Sequence, residues 1–213
     1  MKTRKIRTAL YNVLPGEKAH ALMAPRPKYI EGIEGVHPCP PVNSAILALI
    51  VPFENELALP LIKRVNRGKY HGGQIAFPGG KMEKEDADAL QTALRECHEE
   101  IGVPEEKVSI LGVLSDIYIP LSNFNITPIV GTTLQLPDFI LSQDEVEKVI
   151  LVKLRDLFDD RNKTTPSFVR HDHKIIAPGY KIGENFIWGA TAMIIAELEQ
   201  LMKTNTFNHL GKL

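Results

Sequence analysis

The stretch HGGQIAFPGGKMEKEDADALQTALRECHEEIGV, residues His71 to Val103, decides the fold. A glycine turn at Phe77, Pro78, Gly79 and Gly80 gives way to a segment in which Ala87, Leu90, Leu94, Cys97 and Ile101 recur in steps of three and four. That is the period of an α-helix with one apolar stripe. Asp86 is the expected N-cap, and Gly102 followed by Pro104 is the expected stop. On such a helix Glu96, Glu99 and Glu100 project together, while Cys97 and Ile101 turn to the core. Like charges so close repel unless a cation lies among them, and hard carboxylate oxygens suit Mg²⁺ or Mn²⁺. Arg95, four residues before Glu99, is placed to hold and orient one of these carboxylates. At Gly79 and Gly80 the backbone can approach a ligand without a Cβ in the way, which makes the Gly80 carbonyl a candidate further oxygen ligand. Taken alone, the three glutamates would read as a solvated helix face.

Outward from this stretch, SAILALIVPF and ELALPLIKRV are apolar runs of strand length separated by Glu54 and Asn55, the pattern of a hairpin feeding a buried sheet. Pro60 argues against fully regular pairing there. VSILGVLSDIYIP, NITPIVGTTLQL and EKVILVKL read as further strands, Asp156 to Pro166 as a polar connection, and Ala190 to Lys203 as a last helix. The alternation of strands and helices predicts an α/β fold, a mixed β-sheet between helices in an α/β/α sandwich. The expected division is a helix and Pro-rich connection over residues 1–41, a domain over 42–203 and a tail over 204–213. Ile6, Leu10, Val13 and Leu14 at helical spacing are read as a short helix on the domain, in preference to a transit peptide. Residues 1–41 could support a homodimer or only cap the fold. The ending Gly211, Lys212, Leu213 lacks the serine of the peroxisomal SKL address and is not read as one.

The 213 residues carry 25 Lys and Arg against 26 Asp and Glu, a formal charge of -1. No global field draws this chain to nucleic acid or an anionic membrane, so recognition must be local. Two cysteines, Cys39 and Cys97, form neither a disulfide framework nor a zinc motif, and a reducing, cytoplasmic setting is expected. AILALIVPF, the longest apolar run, is about half the length a membrane-spanning helix needs. One local cationic segment stands out, Arg64, Arg67, Lys69 and His71, suited to a substrate bearing several phosphates. Arg67 by itself reads as an ordinary solvated charge.

Arg95, Glu96, Cys97, His98, Glu99, Glu100, Ile101, Gly102 and Val103 match every fixed position of REUxEExGU, U being apolar, and follow a GG turn. The sequence thereby resembles a Nudix hydrolase. The glycine and glutamate that the usual box carries upstream would fall on Lys81 and Ala87, whereas Gly80 and Asp86 lie one residue further out. The coenzyme A pyrophosphatase branch carries this longer spacing. LIKRVNRGKYHGGQIAFPGG, Leu61 to Gly80, is similar to that branch's LLTxRSxxxRxxxGxxxFPGG, with Ile62 and Lys69 in place of threonine and arginine. SNFNITPIVG, DEVEKVILVKL and IWGATAMII resemble further segments of the branch, so the likeness covers residues 42 to 200 or thereabouts.

The resemblance implies divalent-metal-dependent hydrolysis of the diphosphate of coenzyme A or its derivatives, giving adenosine 3′,5′-bisphosphate and 4′-phosphopantetheine or its acyl form. It implies metal held by Glu96, Glu100 and Glu99, with Gly80. Glu99 is the candidate base, oriented by Arg95, and Glu100 serves the reaction as well. Arg64, Lys69, His71 and Gln74 are the candidate substrate contacts, with His71 and Gln74 equally readable as turn-stabilising. Glu145 matches an acid used by some branches and reads equally as a strand-edge charge. Trp188 and Phe124 are candidate stacking partners for adenine, though Trp188 is better placed to close the core under the last helix. Two other readings stay open: a Nudix hydrolase of ADP-ribose or another nucleoside diphosphate derivative, and a non-catalytic nucleotide-sensing module. The presence of all three box glutamates argues against the second.

Overall fold

The computed structural model describes residues 2–26, 39–66, 73–170 and 173–204. Arg67, Lys69 and His71, much of the Pro-rich connection and most of the C-terminal tail lie outside the described residues. In chain order the elements are α1 (Lys2–Leu10), α2 (Glu17–Met23), β1 (Val42–Phe53), β2 (Glu56–Arg64), β3 (Ile75–Ala76), β4 (Gly79–Lys81), α3 (Ala89–Ile101), β5 (Ser109–Val113), β6 (Ile117–Ile119), β7 (Phe124–Thr132), β8 (Val146–Lys153), α4 (Leu154–Leu157), β9 (Lys163–Thr164), β10 (Ser167–Arg170), β11 (His173–Ile176), β12 (Gly179–Ile182), β13 (Asn185–Trp188) and α5 (Ala190–Thr204).

The spine is an eight-stranded mixed sheet ordered β3-β2-β1-β7-β5, with β4 against β1, β6 against β7 and β8 against β2. Only the β1–β7 pairing within it is parallel, in register from Val42 opposite Phe124 to Ile50 opposite Thr132. Strand β1 is buried on both faces, so its apolar run is continuous, and its residues alternate between two cores. Ala45, Leu47, Leu49 and Val51 face α3, with Ala93, Leu94, Cys97 and Ile101. Ala48 and Ile50 face the other side, packed with Ile6 and Leu10 of α1, Met23 of α2 and Ile194, Leu198 and Leu201 of α5. This is the expected α/β/α sandwich with a mixed sheet.

The hairpin between β1 and β2 turns on Glu54 and Asn55, at φ 47° and 62°. Both in the left-handed region make the two-residue turn whose twist matches the strands. Glu54 is an unusual occupant, and its carboxylate meets Lys153 Nζ at 2.7 Å. Pairing with β1 stops at Ala58, two residues before Pro60, which pairs instead with Leu151 of β8.

Several expectations need correction. Helix α3 begins at Ala89, capped by Asp88, whose side chain accepts from the Gln91 N–H at 2.9 Å. Asp86 is therefore not the cap, and Ala87 is exposed ahead of the helix. Residues 2–23 form two helices where one was expected, with Val13 exposed between them. The supposed polar connection at Asp156 to Pro166 holds part of α4 and the short strand β9, and β10 pairs with β11 and β12 with β13 in segments for which no strand was expected. Gly102, at φ 72°, ends α3 as expected, its N–H donating to the His98 carbonyl. Among the described residues no helix is long and apolar enough to cross a membrane.

Candidate active site

Strand β4 and helix α3 build the site between them. Strand β4 begins so close to β1 that a Cβ on Gly79 would lie 2.4 Å from the Ala45 carbonyl oxygen and 2.6 Å from Ile46 Cα. Gly80 has a different reason to lack a side chain. A Cβ there would fall 2.4 Å from the Glu96 carboxyl carbon. One glycine lets the turn pack on the sheet, and the next leaves room for a carboxylate.

Glu100 is 1% exposed and reaches back to the turn, where its Oε2 accepts from the Gly79 N–H at 2.9 Å. The Arg64 guanidinium bridges the same two groups, donating from Nη2 to the Gly79 carbonyl at 2.7 Å and standing 3.0 Å from Glu100 Oε1. The second contact is out of line for a hydrogen bond, so Glu100 Oε1 is buried with an ion pair beside it and no hydrogen bond to it. Burial pushes the Glu100 carboxyl up to about 7, against the opposing pull of Arg64 and the Gly79 N–H. Burial likewise raises Glu96, with Arg95 opposing.

Arg95 spends all its donors. It grips Asp86 bidentately, Nε to Oδ1 at 3.0 Å and Nη2 to Oδ2 at 2.9 Å. Nη1 donates to Glu96 Oε1 and to Glu99 Oε2, each at 3.0 Å, and Nη2 to the Lys81 carbonyl at 3.1 Å. Asp86 is itself buried and takes further bonds from Thr92 Oγ1 and the Glu83 N–H, and the guanidinium holds its carboxyl well below the usual carboxylate range. Its real part is to anchor Arg95, which in turn aims two of the box glutamates.

Of the sequence-derived candidates, Arg64, Gln74, Gly80, Glu96 and Glu100 line one cavity of about 840 Å³. Gln74 also pairs through its carbonyl with the Arg64 N–H at 3.0 Å. Glu99 does not line the cavity; its side chain is 55% exposed, held at the rim by Arg95. Lys69 and His71 lie outside the described residues. Glu145 lines the cavity and its charge bears on both Glu96 and Glu100, which places it at the site, a fact its sequence position alone left open. Trp188 is not in the core: it is half-buried, packs edge-on against Phe168 with centroids 5.1 Å apart, and faces the cavity together with Phe124.

Among the described residues no group of three or more His, Cys, Asp or Glu side chains already stands in metal-holding geometry. The arginines explain this, since Arg95 draws Glu99 outward and holds Glu96, while Arg64 sits against Glu100. The donor set nevertheless fits a hard divalent cation: two adjacent carboxylates, one with a buried oxygen accepting no hydrogen bond, beside a glycine turn.

Comparison with known proteins agrees with this geometry. Residues 43–171 match the family model described as NUDIX domain. An uncharacterized Nudix hydrolase, NudL, from Enterobacter sp. (strain 638) is 34% identical over 161 residues, 74% of this chain and 82% of its own length. Its counterpart in Pectobacterium atrosepticum is 35% identical over 158 residues, 73% of this chain and 80% of its own. In fold, the chain is similar to the MutT protein from Methanosarcina mazei Go1, with a TM-score of 0.51 and 17% identity, covering 80% of this chain and 99% of that one. A NUDIX hydrolase from Nitrosomonas europaea gives 0.51 at 21% identity, over 83% and 76% of the two chains. With its box glutamates gathered on α3 against the glycine turn, the chain belongs to the Nudix hydrolase family.

Proposed function

We propose that this chain hydrolyses the diphosphate of coenzyme A or its derivatives, with Mg²⁺ or Mn²⁺, releasing adenosine 3′,5′-bisphosphate and 4′-phosphopantetheine or its acyl form. The observation that carries the reading is Arg64. It comes from the stretch similar to the coenzyme A pyrophosphatase signature, and its side chain joins Glu100 of the box to the carbonyl of the FPGG turn. The upstream signature and the box are thus one unit in space, as a substrate-specific site requires.

Glu96 and Glu100 would hold the cation, with Gly80 and Glu99 as further oxygen donors. Bound there, the cation supplies a water of lowered pKa and neutralises charge on the diphosphate oxygens. Water adds to one phosphorus, the bridging P–O bond breaks, and the bridging oxygen leaves with the other phosphate. Glu99 is the base in this reading: turning in from the rim, where Arg95 holds it, it takes up the proton released from the attacking water. Arg64 meets the diphosphate while sharing its charge with Glu100. Lys69, His71 and Gln74 complete the substrate contacts in this reading.

Product analysis on a panel of coenzyme A, acyl-coenzyme A, ADP-ribose and dinucleoside polyphosphates, with Mg²⁺ or Mn²⁺ and with chelator, tests the proposal. Metal-dependent release of adenosine 3′,5′-bisphosphate from coenzyme A is expected. A clear preference for ADP-ribose would overturn the substrate, and ligand binding without turnover under either metal would overturn the activity.

A further inference from the structure

The cavity that opens on Glu96 and Glu100 is larger than a diphosphate needs, and its far wall comes from a segment the family model does not include. The match begins at residue 43, yet Ala21 of α2 and Ala24 just after it line the cavity, as does Met193 of α5, the helix on which α2 packs. Helix α2 is fixed there by a buried clamp. Glu197 of α5, fully buried, accepts from the Gly16 N–H at 3.0 Å and from Ser115 Oγ at 2.6 Å, and its other oxygen lies 2.8 Å from His20 Nε2. His20, itself 5% exposed, is thereby locked as part of the wall.

Two features say what this part of the cavity takes. The walls between α2, β6 and α5 are mainly aliphatic and reward an uncharged chain with burial. The charges are also partitioned. Among the described lining residues the Arg and Lys side chains are Arg64 and Lys81, on β2 and β4 beside the carboxylates. Glu17 on α2 and Asp116 before β6 line the rest. A phosphorylated ribose laid against α2 would meet Glu17 at the cavity wall, while Lys18 of that helix is exposed and does not line the cavity, whereas an uncharged arm meets no such penalty.

The geometry points to α2 as a specificity-determining wall: the uncharged arm of the diphosphate substrate lies in the part of the cavity that α2 and α5 border, and the nucleotide stays outside it. Ala21 and Met193 are then specificity residues, and the His20–Glu197 pair is a positioning pair that holds the wall. The arm is the pantetheine arm, so the inference rests on the coenzyme A reading above.

Calorimetric titration of the full chain in Mg²⁺ with the two product halves, 4′-phosphopantetheine and adenosine 3′,5′-bisphosphate, tests the assignment. Ala21→Trp is at an exposed helix position, so it fills that part of the cavity without entering the core, and Met193→Trp fills it from α5. Each should weaken 4′-phosphopantetheine binding about ten-fold or more, and its S-acyl form at least as much, while the nucleotide half shifts no more than about two-fold. His20→Gln, which keeps a hydrogen-bonding side chain, should weaken the arm less than His20→Ala does. The assignment is overturned if the nucleotide half is the one weakened, if neither half responds, or if wild-type protein does not bind 4′-phosphopantetheine. Failure of wild-type protein to cleave coenzyme A would sink the substrate reading separately, because this test reads binding and not turnover.

Discussion

Two buried glutamates, Glu100 on α3 and Glu197 on α5, are almost equally withdrawn from water and are treated in opposite ways by their surroundings. Glu197 has both oxygens occupied, by the Gly16 N–H, Ser115 and His20. Burial works to raise its carboxyl, yet the bonds from His20 and Ser115 win and hold it below its ordinary value. Glu100 receives one backbone N–H, faces a single guanidinium, and keeps one oxygen without a hydrogen bond, so burial wins and the carboxyl rises. A fully satisfied buried carboxylate joins elements together, and an under-satisfied one is poised for a ligand.

The contrast can be broken most directly at Glu100. Glu100→Gln keeps the shape and the Gly79 contact but loses the charge, and should stay folded while activity with Mg²⁺ falls about a thousand-fold, equivalent to about 4 kcal/mol of transition-state stabilisation. Full activity in that variant would remove Glu100 from the reaction. Glu197→Ala should do the reverse, lowering unfolding free energy by roughly 3 kcal/mol in a denaturant titration, because it leaves His20, Ser115 and a backbone N–H without their acceptor. A stability equal to wild type would show the clamp to be ornamental.

Asp86→Asn is intermediate. It keeps Arg95 nearby but removes the charge that orients it, and should cost about 10- to 100-fold in kcat with little change in KM, since Arg95 acts by aiming Glu96 and Glu99. The smallest effect is in the pH dependence of stability, measured in chelator. The folded pKa of Glu197 is depressed, so its stabilising contribution is complete above its ordinary 4.5 and is lost as pH falls through the lower folded value. Glu100 is raised, so its contribution is greatest below 4.5 and is lost as pH rises toward about 7. Glu197→Gln and Glu100→Gln should therefore change the stability profile with opposite slopes, in those two different windows.

The parts of the molecule legible in the sequence are those set by local chemistry. Helix α3 follows from its apolar period, the β1–β2 hairpin from two strand-length runs around Glu54 and Asn55, and α5 from its stripe of Ile and Leu. The nearness of Gly80 to the box glutamates follows from sequence too, through resemblance to a long spaced motif, whereas Arg64, expected as a substrate contact, also meets Glu100 and the Gly79 carbonyl. Where the reading failed, a distant partner had intervened. Asp86 and Asp88 are both good caps by type; the tie was broken by Arg95, which takes Asp86 and leaves Asp88 to the helix. His20 carries no local sign that Glu197 waits for it across the chain. Trp188 looked like a core residue because small neighbours follow it, whereas in the fold it packs edge-on against Phe168 and lines the cavity.

Cys97 packs behind the glutamates on α3, 1% exposed, and burial pushes its thiol up to about 12. At neutral pH it is a protonated thiol shut away from reagents, and thiolate is the form that exchanges with disulfides or meets an alkylating probe. Cys39, by contrast, lies exposed. A maleimide dye or spin label should therefore modify the folded protein at Cys39 alone, giving a single reporter on the chain leading into β1 while the metal-facing helix stays chemically untouched.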